Sequence, residues 1–153
     1  MVQIRIATEE DKDFIAAFQV KMARETEDLL LDEKTVNEGV MHVLRNPERG
    51  KYFVAEDIET RRVVASLLIT YEWSDWRNKL VLWIQSVYVL PEYRKKGVFK
   101  MLYHHIQSWA KTDRSIAGIR LYVDKTNRNA IEVYRKLGMD GEHYLLFEWM
   151  IES

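Results

Sequence analysis

Hydrophobic and polar positions along the chain follow two different spacings, which predict its strands and helices. Patterns typical of strands occur at residues 2–7, 51–57, 62–73, 80–89, 119–123 and 144–151. Helical spacing follows Thr8, covers residues 32–46, follows Gly97 as far as Trp109, and covers residues 127–138. The order of these elements predicts a mixed α/β fold, and no repeat or linker divides residues 1–153 into more than one domain.

Length and charge narrow the function classes. A chain of 153 residues buries roughly 70% of its extended surface, enough for one core without metals or disulfides. The 23 Lys and Arg residues nearly balance the 24 Asp and Glu residues, which disfavours a nucleic-acid-binding surface. The absence of cysteine excludes a disulfide framework and a cysteine nucleophile.

The first residues and the longest apolar runs indicate the compartment. Glu9, Glu10 and Asp11 lie where a signal peptide would need an apolar core, and no apolar run approaches the ~20 residues that cross a bilayer. We therefore expect a cytoplasmic protein with no membrane partner. The four histidines lack metal-ligand spacing, so we expect no metal site.

The segment from Leu80 to Lys111 predicts a strand, a basic glycine-containing turn and an amphipathic helix. The first turn of a helix has backbone N–H groups without intrahelical partners, and Gly97 leaves them accessible. Four cationic side chains surround this turn: Arg94, Lys95, Lys96 and Lys100. The pattern predicts a site for a polyanion such as a phosphorylated ligand, with an ordinary solvated loop as the alternative. The P-loop and dinucleotide-binding glycine patterns are both missing.

A second motif lies near the end of the chain. Asn127 is a good helix N-cap, Ala130, Tyr134 and Leu137 share one helix face, and Gly138 occupies the position of a left-handed C-cap. With the intervening strand, the motifs Arg94-x-x-Gly97-x-Phe99 and Asn127-x-x-Ala130-x-x-x-Tyr134-x-x-x-Gly138 make the chain resemble the GNAT superfamily of acetyl-CoA-dependent N-acetyltransferases.

The resemblance covers nearly the whole chain and implies a fold and an activity. The implied fold is a central, mostly antiparallel sheet with one splayed parallel strand pair, flanked by about four helices. The implied activity is transfer of an acetyl group from acetyl-CoA to a primary amine by direct attack in a ternary complex. A catalytically inactive acyl-CoA-binding module is the alternative, followed by a thioesterase.

The resemblance also implies which residues bind the cofactor. Backbone groups of Val87, Tyr88 and Val89 would pair with the pantetheine arm, and Asn127 and Ala130 would lie beside the cofactor. The turn around the pyrophosphate would consist of consecutive residues: Arg94, Lys95, Lys96, Gly97, Val98, Phe99 and Lys100. Phe99 departs from the family pattern, which has Gly or Ala there, so its side chain must point away from the phosphates. For Asn127, a role as a helix cap is equally compatible with the sequence.

Two residues are candidates for the proton transfers. By resemblance, the Tyr134 hydroxyl is the general acid that protonates the leaving thiolate, whereas a tyrosine on a helix face can also be an ordinary core residue. Gln85 stands where many relatives have a glutamate, so it could orient a water that carries the proton onward, or be a hydrogen-bonded core amide. Glu72, Glu25 and Glu27 are alternative bases.

The acceptor is expected to be a small-molecule or peptide amine. Glu25 and Glu27 could attract its charge, and Trp73 and Trp83 could form an aromatic wall. The alternative is that the acidic residues solvate a surface turn and the tryptophans pack in the core. The aromatic stretch at residues 144–149 suggests either a homodimer contact or a buried strand.

Overall fold

The computed structural model describes residues 1–152, whose chain divides into two units, Met1–Arg120 and a second unit that begins at Leu121. The described residues form five β-strands and four α-helices, with short 3-10 helices at Glu9–Asp11 and Pro91–Tyr93. The first unit contains β1 Val2–Ile6, α1 Lys12–Glu27, α2 Glu33–Arg45, β2 Lys51–Asp57, β3 Val63–Ser74, β4 Lys79–Val89, α3 Val98–Thr112 and β5 Ile116–Arg120. The second contains α4 Arg128–Lys136. No helix among residues 1–152 has both the length and the apolar character needed to cross a bilayer.

The five strands form one sheet in the order β1-β2-β3-β4-β5. The first four strands pair antiparallel, and β4 and β5 pair parallel. This parallel pairing covers only Leu80–Trp83 of β4, so the remainder of β4, from Ile84 to Val89, extends past the ladder with β5. The expected mixed sheet with a splayed parallel pair is confirmed.

A β-bulge in β4 lies next to the point where the two strands separate. The register of β3 against β4 shifts between Ser66 and Leu68, which pair with Tyr88 and Gln85 respectively, so β4 carries one extra residue. Ser86 has a positive φ of 55°, a left-handed conformation that strains a residue with a side chain. The bulge changes the direction of the end of β4, where β4 no longer pairs with β5.

The two faces of the sheet carry different helices. Tyr88 of β4 packs against Phe18 of α1, with ring centroids 5.3 Å apart, and this side is called the α1 face. Phe53 of β2 contacts His105 and Trp109 of α3, at 5.4 and 5.9 Å, on the opposite side, called the α3 face. Alternate side chains of each strand therefore belong to two separate apolar layers.

Two predicted strands differ from the structure by more than one residue. β5 begins at Ile116 rather than at residue 119, because the Asp113 carboxylate accepts the Ser115 N–H and the Ser115 carbonyl then accepts the N–H of Leu80 at 2.8 Å. The apolar residues that follow Arg120 had displaced the prediction towards the C-terminus. Residues 144–151, predicted as a strand, form no strand within the described part of the chain. Apolar alternation gives strand propensity but cannot supply the partner strand that a ladder requires.

Candidate functional site

The turn between β4 and α3 presents backbone donors at a helix start. Lys95 and Gly97 both have left-handed backbones, with φ of 63° and 77°, and Gly97 is the N-cap of α3. The first intrahelical bond of this end joins the Met101 N–H to the Gly97 carbonyl at 3.0 Å. The N–H groups of the first helical turn therefore have no acceptor within the helix. Such groups can donate hydrogen bonds to phosphate oxygens.

The four cations of the turn do not behave alike. Lys95, Lys96 and Lys100 are exposed and form no ion pair with any described residue, although Lys96 lies 5.7 Å from the centre of the Tyr93 ring. Arg94 instead forms an ion pair with Glu25 of α1, at 2.8 Å. The uncompensated positive charge of the turn thus comes from its three lysines.

Val98 and Phe99 direct their side chains away from the solvent side of the turn. Val98 is buried, and the half-buried Phe99 ring lies 6.3 Å from the Tyr103 ring, one helical turn further along α3. Because the phenylalanine packs along its own helix, its backbone N–H can still face a ligand. The bulky side chain at this position therefore does not by itself block the backbone donors of the turn.

Backbone groups at the end of β4 alternate between its two edges. The Leu90 N–H donates to the Val64 carbonyl of β3, at 2.9 Å. Because the N–H and C=O of one peptide group point in opposite directions, the Val89 carbonyl faces the other, splayed edge of β4. There the Arg94 Nε donates to that carbonyl at 2.8 Å. Tyr88, the residue before Val89, is only 4% exposed and its side chain belongs to the α1 face.

A row of polar side chains crosses the α1 face beside the bulge. The Gln85 Nε2 donates to the Thr70 hydroxyl at 2.9 Å. The Glu72 carboxylate accepts from the Trp83 indole at 2.6 Å and from Arg120 of β5 at 2.9 Å. The indole hydrogen bond, with the arginine, holds the pKa of Glu72 below its usual range. A carboxylate in this state is a weak base, so Glu72 is poorly suited to deprotonate an amine.

Glu25 is engaged on both of its carboxylate oxygens. The Tyr88 hydroxyl donates to Oε1 and the Arg94 guanidinium to Oε2, each at 2.8 Å. Burial acts to raise the pKa of Glu25, but these two donors outweigh it and lower the pKa below the ordinary value. Burial and the bond to Glu25 raise the pKa of Tyr88 to about 12. Glu25 is therefore also a weak base, whereas Glu27, the last residue of α1, is exposed.

The structure does not bring Trp73 and Trp83 together. Thr70 pairs with Trp83 and Leu80 with Trp73, so along β3 the positions of the two indoles alternate to opposite faces of the sheet. Trp83 lies on the α1 face with Glu72, whereas Trp73 is 59% exposed on the other face. One wall built from both rings, as the sequence suggested, does not exist within this sheet.

The second unit holds the remaining candidate residues on α4. The Asn127 side chain accepts the Ala130 N–H at 3.1 Å, which confirms the predicted N-cap, and Gly138 has the predicted left-handed φ, at 90°. The N–H groups of Gly138 and Met139 bond back to Arg135 and Tyr134, as in a Schellman C-cap.

The inner face of α4 carries the predicted general acid. Ala130, Tyr134 and Leu137 are half-buried while their neighbours on the other side of the helix are exposed, so the predicted shared face is confirmed. Burial raises the pKa of the Tyr134 phenol, which keeps its proton on the hydroxyl at neutral pH. The hydroxyl therefore has a proton to donate, although the same shift makes it a weaker acid than an exposed tyrosine.

No pattern in the sequence links Glu25 to Arg94. The first was expected at the acceptor and the second at the cofactor, yet the two side chains form one ion pair. The residues lie on α1 and on the turn after β4, so no local pattern connects them. Only the packing of α1 on the face that carries Tyr88 reveals the contact.

The amino-acid sequence of this chain is similar to those of known acetyltransferases. The sequence profile of the Acetyltransferase (GNAT) family matches residues 5–139. The chain is 33% identical over 63 residues to the "probable N-acetyltransferase san" of Drosophila melanogaster, covering 41% of this chain and 34% of that protein. It is 28% identical over 92 residues to the thialysine N-epsilon-acetyltransferase of Bos taurus, covering 56% and 53%. The matched part therefore spans a third to a half of the length of these relatives.

A solved structure extends the similarity over the whole chain. The crystal structure of "a possible acetyltransferase" from Clostridium difficile 630 superimposes with a TM-score of 0.91 at 42% sequence identity. The match covers 100% of this chain and 99% of that chain. The sheet with its splayed pair is thus the fold of a protein that shares two residues in five with this one.

Proposed function

Because the chain belongs to the GNAT family of acetyltransferases, whose members use acetyl-CoA, we propose that it transfers an acetyl group from acetyl-CoA to a primary amine. The observation that carries the proposal is the turn after the splayed end of β4. Backbone N–H groups of the first turn of α3 and the three unpaired lysines Lys95, Lys96 and Lys100 offer a pyrophosphate both hydrogen bonds and charge. The splayed edge of β4, at Val87 and Val89, supplies backbone groups for the amides of the pantetheine arm.

The proposed reaction is direct attack in a ternary complex. The amine nitrogen bonds to the thioester carbonyl carbon, the carbon–sulfur bond breaks, and the sulfur leaves with the bonding electrons. In this scheme Tyr134 gives its proton to the thiolate. Deprotonation of an alkyl ammonium at neutral pH costs roughly 4–5 kcal/mol, and Gln85 helps by orienting a water that accepts the proton.

The proposed acceptor is a small-molecule or peptide amine. The relative from Bos taurus is named for acetylation of the ε-amine of thialysine, a small amino acid. On this chain, the exposed carboxylates of Glu27 and Asp28 at the end of α1 would attract such a cation. We further propose a cytoplasmic protein that acts as one domain over residues 1–153. A homodimer also remains a prediction.

Calorimetry with acetyl-CoA tests the first half of the proposal. Binding in the micromolar range is expected, and no detectable binding would refute it. A panel of amines then tests the chemistry through release of the free thiol. Because the chain has no cysteine, every thiol detected comes from the cofactor.

Tyr134→Phe tests the assignment of the general acid. The variant removes only the hydroxyl, so we expect turnover to fall about 10²-fold while the affinity for acetyl-CoA stays nearly constant. Unchanged turnover would remove Tyr134 from the chemistry. Binding without amine-dependent thiol release would instead support the inactive acyl-CoA-binding module, and release without any amine would support a thioesterase.

A further inference from the structure

Three contacts hold the Arg94 side chain in place. Its Nε donates to the Val89 carbonyl at 2.8 Å, its Nη2 donates to Glu25 at 2.8 Å, and its guanidinium lies 5.3 Å from the centre of the Tyr88 ring. Planar guanidinium groups favour this combination of donors directed at separate acceptors with a position over an aromatic ring. The side chain therefore connects the end of β4, the end of α1 and the start of the turn.

The anchor beneath this arginine is rigid. Tyr88 is only 4% exposed, packs against Phe18 and donates its hydroxyl to the same Glu25 carboxylate. Because these contacts already order the arginine side chain in the free protein, its conformational entropy is not lost again when a ligand binds. The residues that follow Arg94 directly, Lys95 to Gly97, contain the two left-handed positions of the turn.

The charge of Arg94 is already compensated. Its side chain is 43% exposed and its partner Glu25 is 40% exposed, so the two opposite charges sit side by side at the surface. A ligand at the turn therefore experiences little net charge from this pair. The three lysines, in contrast, have no carboxylate partner among residues 1–152. Attraction of a phosphate therefore does not require Arg94.

We propose that Arg94 and Glu25 act together as a positioning pair, which holds the turn in the conformation that binds the pyrophosphate without itself contacting it. The inference rests on the proposed function, since it concerns the affinity for acetyl-CoA. It changes the assignment of both residues: Glu25 belongs to the cofactor side rather than the acceptor side, and Arg94 acts through the backbone of its own turn. The phosphate contacts then come from Lys95, Lys96, Lys100 and the backbone N–H groups.

The test compares acetyl-CoA dissociation constants by calorimetry at low and high salt, for Glu25→Gln, Arg94→Gln, the double variant and Lys100→Gln. Each single variant of the pair is expected to weaken binding about three- to tenfold, because each loosens the same turn. The double variant should be no weaker than Arg94→Gln, since the two residues act as one unit. The double variant removes both charges together, so its salt dependence should match that of the unmodified protein. Lys100→Gln, the matched control, should weaken binding and also reduce its salt dependence.

A conservative replacement separates geometry from charge. Arg94→Lys keeps the positive charge, but a single ammonium cannot reach the Val89 carbonyl and Glu25 through separate, fixed donors. We expect it to bind acetyl-CoA as weakly as Arg94→Gln. Full affinity in Arg94→Lys would overturn the inference.

Direct binding of phosphate by Arg94 would give different results. If Arg94 were a phosphate ligand for which Glu25 competes, Glu25→Gln would tighten binding, and the charge-neutral double variant would flatten the salt dependence as Lys100→Gln does. Either result refutes the positioning role. Failure of the unmodified protein to bind acetyl-CoA would refute the proposed function instead, so the two failures are distinguishable. Both side chains are partly exposed, so thermal unfolding midpoints within a few degrees of the unmodified protein are expected.

Discussion

Arg5 holds two carboxylates that come from different parts of the first unit. Its guanidinium donates to both oxygens of Asp11, at 2.8 and 2.9 Å, and to Glu56 of β2, at 2.9 Å. Asp11 is buried and also accepts the Thr8 N–H, which completes the N-terminal cap of the turn before α1. The sequence placed helical spacing after Thr8, but the arginine that satisfies the buried carboxylate comes from the strand before it.

Asp11→Asn should lower the free energy of unfolding by about 2 kcal/mol at neutral pH, because Arg5 loses its closest charge partner. Burial tends to raise the pKa of Asp11, but the bonds from Arg5 and Thr8 lower it below the ordinary value. The stabilisation is therefore complete above the unfolded-state pKa of about 3.9 and is lost as the pH falls through the lower folded-state pKa.

Urea unfolding at a series of pH values from about 7 to about 3 measures this effect. The difference in stability between the unmodified protein and Asp11→Asn should shrink as the solution becomes acidic. Glu9→Gln serves as the control, because its ion pair with Arg45 is exposed and should change stability by less than about 0.5 kcal/mol. A difference that stays constant with pH would contradict the role of the Asp11 charge.

At the scale of the elements, two glycines have opposite surroundings. Gly39 lies inside α2, and a Cβ added there would meet no atom within 4 Å. Gly50 directly precedes β2, and its Cβ would lie 2.6 Å from the Ile69 carbonyl oxygen of β3. One position is glycine without steric need, and the other lets two backbones approach closely.

Alanine at these two positions should have effects of opposite sign. Gly39→Ala should raise the free energy of unfolding by about 0.5–1 kcal/mol, since alanine favours the helix. Gly50→Ala should lower it by roughly 2 kcal/mol, because a backbone oxygen cannot move aside as a flexible side chain can. Thermal and urea unfolding of both variants provide the measurement. Stabilisation by Gly50→Ala would show that the start of β2 adjusts freely.

The same scale shows what the sequence could and could not predict. β2 was predicted at its observed bounds and α2 within one residue, because turn and cap residues flank a clear pattern at both ends. β5 was displaced by three residues, since the turn that fixes its start depends on a hydrogen bond from β4. The strand expected at residues 144–151 was wrong because strand pairing is not a local property.

Over the whole molecule, the sequence predicted the fold and the elements of the candidate site but not their side-chain contacts. The strand, the basic turn and the helix appear where the pattern placed them, from Lys79 to Thr112. In contrast, Arg94 with Glu25 and Arg120 with Glu72 join positions far apart in the chain. Such pairs follow from the way helices and strands pack, which periodicity alone does not encode.

The short parallel ladder between β4 and β5 also bears on the order in which the chain folds. β2, β3 and β4 are joined by tight turns, so their ladders close small loops at low entropic cost. β5 pairs with only four residues of β4, and the turn and the whole of α3 lie between them. We therefore expect β2, β3 and β4 to form before β5 joins them, and β5 to open more readily than these three strands.

Hydrogen exchange followed by mass spectrometry would reveal this order. Peptides covering β5 should exchange faster than peptides covering β3, which has a partner on each edge. Equal protection of the two strands would indicate a single cooperative unit. If β5 does open first, the gap in which we place the pantetheine arm can widen transiently without melting the sheet, and bound acetyl-CoA should slow the exchange of β5 more than that of any other strand.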